Sequence, residues 1–300
     1  MNTLPKPTPL KCWDDLRKEY QSNKDRWDGW LFRGQIMEEE IDLESPSVRT
    51  SLERTIKRFD VSLEEARGLE YKLLRDFKRR CHLVSPYSPA PENTMEWLAL
   101  FRHFGGPSRL SDWTYSFWAA VYFALDQADV IKSKKDICEV WALNGRDWLE
   151  RAGRRFPTLE TARKKFDSNS DAESQALFEI NEPGLWIMNS FLLNDRLSSQ
   201  QGAFLVPLDV TKPFMDNVRA QAPEQIDANH LAIYRIDLSI DQLKECLKEL
   251  HRMNLTRATL YPGLEGLARS LENAVAMPHL FWGVKGDLST FQRRQSSLEG

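Results

Sequence analysis

The groups most able to do chemistry are concentrated in His103-Phe104-Gly105-Gly106-Pro107-Ser108-Arg109-Leu110-Ser111-Asp112-Trp113-Thr114, where an imidazole, a guanidinium, a carboxylate and three hydroxyls lie close together in sequence. Ordinary turns do not need such a set. Two readings stand for each member. Arg109 and Asp112, three apart around the turn, either pair and rigidify it or face a substrate. His103 is either an acid, base or ligand, or a satisfied residue on an apolar helix. Thr114 and Ser116 also suit the N-cap of the apolar run that follows. A second candidate is Arg33, next to Gly34: a guanidinium with a glycine neighbour can approach phosphate or carboxylate closely, and the alternative is an ion pair with a carboxylate such as Asp112. A third is Gln200-Gln201-Gly202. Glutamines can hold an amide- or ribose-bearing ligand or satisfy backbone groups at a helix end, but they do not titrate near neutrality and cannot be general bases.

Other chemistries find no support. The four cysteines (Cys12, Cys81, Cys138, Cys246) form no CxxC, and the remaining histidines (His82, His230, His251, His279) have neither HExxH nor HxH spacing, so no metal is expected. GxSxG, Walker and GxGxxG motifs are absent, which disfavours a Rossmann fold.

These residues need elements to position them. Trp30-Leu31-Phe32 reads as a strand delivering Arg33 to its end. After a turn signal at Ser45-Pro46-Ser47, two helices are expected, the second opened by Ser62 with Glu65 as a capping box. Leu69, Leu73, Leu74 and Phe77 continue that helix, and Lys78-Arg79-Arg80 complements its dipole. A loop covers 85–91. Asn93 with Glu96 opens a helix to about Phe104, which Gly105-Gly106-Pro107 ends. An apolar helix spans 117–128. Strands are predicted at 138–143, 186–188, 203–207 and 231–236, with a short helical turn between 194 and Gly202. Ser239 and Gln242 cap a helix carrying Leu243, Leu247 and Leu250, and a last helix lies near 264–271. Residues 1–24 read as an N-terminal arm, 145–180 as a charged insertion, either solvated and helical or an exposed loop, and 273–300 as a polar C-terminal tail. Helices and strands mix without a regular βαβ repeat, so the expected class is α+β, a mixed sheet core with peripheral helices.

With 300 residues, 41% hydrophobic and 28% charged, the chain can bury a substantial core. A net charge of −3 with interspersed signs does not imply a nucleic-acid footprint. No window approaches the length of a membrane span, and the first residues lack the apolar core of a signal peptide, so no membrane partner and a cytoplasmic location with free thiols are expected.

Trp30-Leu31-Phe32-Arg33-Gly34-Gln35, the His103–Thr114 stretch with Ala120-Val121-Tyr122-Phe123-Ala124 behind it, Arg196-Leu197-Ser198-Ser199-Gln200-Gln201-Gly202-Ala203-Phe204, and Thr259-Leu260-Tyr261-Pro262-Gly263-Leu264-Glu265-Gly266-Leu267 together resemble the FRG domain, named for its Phe/Tyr-Arg-Gly signature. The resemblance covers 25–272. Arg102, Ser108 and Ser111 depart from the family pattern, which has Gln, Thr and Leu there; Arg109, Asp112, Trp113 and Thr114 keep it. It implies a bacterial or phage origin, often in mobile or defence contexts. A looser resemblance is to ADP-ribosyltransferases, which also begin with an aromatic-Arg-Gly strand. It implies a split sheet and a toxin or phage-defence effector that uses NAD as substrate and acts on a protein or nucleic-acid target. Arg33, Gln35, His103, Arg109, Trp113 and Thr114 would then bind the cofactor, and Asp112, Gln200 and Gln201 would be catalytic. The usual glutamate is replaced by a neutral amide there, so either Asp112 supplies the charge or the pocket is a catalytically silent nucleotide- or partner-binding module.

Overall fold

Short apolar runs build a sheet whose two faces bury different sets of side chains. The computed structural model describes residues 3–37, 47–85, 88–126, 128, 137–166, 171–190 and 195–278. Among these the strands are β1 (Thr8–Leu10), β2 (Trp30–Ile36), β3 (Ser111–Thr114), β4 (Cys138–Asn144), β5 (Leu185–Met188), β6 (Gly202–Pro207) and β7 (Leu231–Ile236). They form one sheet in the order β1-β7-β4-β2-β3-β6-β5. β1 runs parallel to β7 and the other pairs are antiparallel, so the sheet is mixed and the α+β expectation holds.

Register fixes which residues share a face, because side chains alternate along a strand. Leu31, Trp141, Ile233, Trp113 and Leu205 lie in one core, closed by Trp148 of the Gly145–Arg155 helix and by Phe214 and Val218 of the Phe214–Gln221 helix. The opposite face carries two cores. Phe32, Val140, Ala142 and Tyr234 pack under the Phe117–Leu125 helix and the Ile240–Arg252 helix. Phe204, Val206, Trp186 and Leu110 pack under the Thr94–His103 and Ala66–Cys81 helices. The seam between these two cores follows the junction of β2 with β3. Those strands pair at one position, Phe32 with Thr114, whereas β2 and β4 pair at seven and β3 and β6 at four. The sheet therefore opens beside Arg33 and Asp112.

Gly34 sets how closely a helix packs on β2. A Cβ there would overlap the carbonyl oxygen of Ala120, so glycine lets the Phe117–Leu125 helix lie directly on β2. Ser116 caps this helix, accepting from the Ala119 amide at 3.2 Å, and its run of apolar residues is buried almost all round.

Several elements differ from the sequence expectations. β2 continues past Arg33 to Ile36, so Arg33 sits within the strand. The apolar helix stops at Leu125, ahead of Asp126. The segment read as an arm supplies β1 and a helix, Trp13–Asn23, and buries Leu10 and Leu16 in the main core. The charged 145–180 segment is helical over its described residues, as one of its two readings has it, but it is not merely solvated: Trp148, Leu159 and Leu177 are core residues, and Glu173 is buried, accepting from the Trp186 indole at 2.6 Å. Ser62 caps a short 3-10 turn (Leu63–Glu65) by accepting from Glu64, not from Glu65. At the end, Ala274 and Met277 are buried. Ser45, Pro46, Pro86, Tyr87, Asn194 and residues 279–300 lie outside the described residues.

Candidate functional site

The seam collects charge. On β2, alternation puts Arg33 on the face of Leu31 and Trp141, opposite that of the Asp112 side chain; its guanidinium reaches into the gap where the strands part and donates to the Asp112 backbone carbonyl at 2.7 Å. Gln35 steadies it: its side-chain oxygen accepts from Arg33 Nε at 3.3 Å, and its amide nitrogen donates to the Ser47 carbonyl at 2.9 Å. On β3, Asp112 shares its face with Phe204 and points toward the C-terminal turn of the Thr94–His103 helix. There Arg102 forms an ion pair with its carboxylate through both Nε, at 2.9 Å, and Nη2.

A third arginine comes from the Asp195–Ser199 helix. Arg196 stacks on the Tyr261 ring, 4.6 Å from its centroid, and Arg257 lies 5.1 Å from the same centroid. Arg257 in turn pairs with Asp126, which also accepts from the Tyr122 hydroxyl. Burial acts to raise the Asp112 carboxyl, but the charge and hydrogen bond of Arg102, with Arg33 and Arg196 beyond, outweigh it and hold the group below the usual carboxylate range. Partial burial lowers His103, and the charge of Arg196 adds to that effect, so His103 is neutral near pH 7. Burial raises the Tyr261 hydroxyl against the opposing charges of Arg196 and Arg257, so it is a neutral ring and donor. The result is three guanidiniums around one ionised carboxylate whose side chain is 36% exposed.

Asp112 and His103 thus lie on the divided face near Arg102 and Arg196, and Arg33, steadied by Gln35, approaches from the other face through the gap. Thr114 and Gln200 adjoin it, but as structural ties: the Thr114 hydroxyl donates to the Gln200 carbonyl at 2.6 Å, and the Gln200 amide nitrogen donates to the Leu260 carbonyl at 2.8 Å. Gln201 is exposed, in left-handed backbone geometry, and its carbonyl accepts from the Tyr115 amide. Trp113 faces the opposite core, buried, with its indole N–H on the Ser111 hydroxyl.

Arg109 does not pair with Asp112. It is buried in an ion pair with Glu70, each side chain 3% exposed, and its guanidinium lies over Phe178. From the sequence, Arg196 and Tyr261 lie in segments that resemble the FRG domain but are given no site role, Arg102 is only a departure from the pattern, and Glu70 is not singled out. Glu70 had a local signal: it occupies the buried i, i+4 row Ala66, Glu70, Leu74 of an amphipathic helix, where a carboxylate needs a partner. For Arg196 and Tyr261 the resemblance was the one signal, since their stacking joins positions 65 residues apart and leaves no local pattern.

Among the described residues no group of three or more His, Cys, Asp or Glu is placed to hold a metal ion, and no helix is long and apolar enough to cross a membrane. A family model, the FRG domain, matches residues 28–133, which contain Arg33, Arg102 and Asp112. Neither the curated proteins nor the solved structures searched include a match.

Proposed function

From an FRG domain over residues 28–133 as premise, we propose that the seam binds the phosphates of a nucleotide, with NAD as the nucleotide of first choice. The observation that carries this reading is the convergence of Arg33, Arg102 and Arg196 on Asp112 where β2 and β3 part. A pyrophosphate would bridge the guanidinium forks, and Gln35 would keep Arg33 in place for it. Asp112 plays two parts in this scheme. Without ligand it neutralises part of the cationic field; with ligand it competes with phosphate for Arg102. The wider reading, an effector or defence toxin resembling ADP-ribosyltransferases, rests on the opened sheet and the aromatic-Arg-Gly strand.

A turnover reading has one observation in its favour: Asp112 stays ionised and partly exposed, so it can face a ribose oxocarbenium ion once phosphates occupy the arginines. Against a catalytic part for Gln200 stands the engagement of its amide nitrogen with Leu260.

Titration calorimetry with NAD and ADP, and release of labelled nicotinamide with and without cell extract, test both readings. Arg33→Ala is expected to weaken nucleotide binding by about tenfold or more. Asp112→Asn is expected to tighten binding, since it removes the charge competing for Arg102; if turnover occurs, the same change abolishes nicotinamide release. Failure of the wild type to bind either nucleotide, or unchanged binding by Arg33→Ala, overturns the proposal.

A further inference from the structure

A second cavity lies outside the seam, between the Ala66–Cys81 helix, the start of the Thr94–His103 helix and the Asp171–Glu179 helix, with a volume of about 680 Å³. That is the size of a small-molecule site. Its floor is the buried Arg109–Glu70 pair, with Arg109 stacked 4.5 Å from the centroid of Phe178. Its walls are part apolar: Leu74 and Phe178 line it together with Tyr71, whose ring is 69% exposed.

The charges are specific about what fits. Four cations and three carboxylates line the cavity, an excess of one positive charge. Arg109 is neutralised by Glu70. Lys78 donates to the Pro91 carbonyl at 3.0 Å and faces Glu92, while burial lowers its pKa. Arg67 reaches the Ile180 carbonyl. Arg75, on the same row of the helix as Tyr71 and Lys78, has no hydrogen-bond or ion-pair partner among the described residues. We propose that this cavity is a binding site for a small planar aromatic monoanion, its ring against Tyr71 and Leu74 and its acid group on Arg75. A monoanion gains an ion pair with Arg75 that a neutral ligand cannot make, and a dianion would crowd Glu92 and Glu179. The site is independent of the nucleotide reading.

The probe is anilinonaphthalene sulfonate, a planar aromatic monoanion, with uncharged phenylnaphthylamine as its neutral counterpart; both are titrated by fluorescence against the full chain. Saturable binding of one dye per chain is expected. Arg75→Glu should weaken it about tenfold and Tyr71→Ala about fivefold. Both side chains are exposed, so both variants should keep the wild-type circular dichroism. Arg33→Ala should bind the dye as the wild type does, which separates this site from the seam. Absence of saturable binding, undiminished binding in both variants, or equal affinity for the neutral dye overturns the proposal.

Discussion

Removing the Glu70 carboxylate would leave the Arg109 charge buried with no counterion, because the pair is almost sealed from water and Glu70 also accepts from the Arg109 backbone amide at 3.2 Å. Glu70→Ala is therefore expected to cost about 3–5 kcal/mol in a urea unfolding titration. Replacing both partners by apolar residues, Glu70→Leu with Arg109→Met, should recover most of that loss. Asp112 behaves differently, being a third exposed. Its folded pKa lies below the unfolded value, so its contribution to stability is present above the unfolded value and is lost as pH falls through the folded one. Unfolding curves measured from neutral pH into the acid range should fall more steeply for the wild type than for Asp112→Asn, most clearly below the ordinary carboxylate range. Parallel slopes would mean that the three arginines do not perturb this carboxyl.

At the scale of elements, the contact between β2 and the Phe117–Leu125 helix is the one that tolerates least change. Gly34→Ala forces a methyl group into the Ala120 carbonyl, so its cost is expected at or above the upper end of the roughly 1–3 kcal/mol typical of overpacking, read as a lowered melting temperature. Elements governed by local physics were legible in the sequence. Asn93 caps its helix through the Glu96 amide, and Ser239 with Gln242 forms a reciprocal capping box, as their spacing requires. Alternation located the strand Cys138–Asn144, and short apolar runs located Gly202–Pro207 and Leu231–Ile236. Elements governed by distant partners were not legible. Thr8–Leu10 has too few residues for a periodic signal and is a strand only because β7 offers it an edge. The 145–180 segment looked solvated because its charges outnumber the few apolar residues that it buries. The site divides in the same way. Arg33 and Asp112 stood out by their neighbours, whereas Arg196 acts at the seam only because Tyr261, far along the chain, supports it.

Across the whole molecule, one sheet face is continuous and the other is divided, with two cores meeting along the line where β2 and β3 part. Arg102 and Asp112 meet near that line, and Arg33 reaches it through the gap from the continuous face. The C-terminal segment then ties the two halves together. Gln200, beside β6, holds the Leu260 carbonyl; Arg257 pairs with Asp126 at the end of the apolar helix; and Tyr261 supports Arg196. The family match ends at residue 133, so half of this arrangement, including Arg196, lies beyond it. Gly34 bears on how such matches are read. The position answers to a helix backbone and not to a ligand. A descendant that had abandoned every use of Arg33 would still be held to glycine at the next residue. Finding the aromatic-Arg-Gly triplet in another chain is accordingly testimony to inherited architecture, and whether that chain still performs any chemistry has to be asked of its counterparts to Arg102, Asp112 and Arg196.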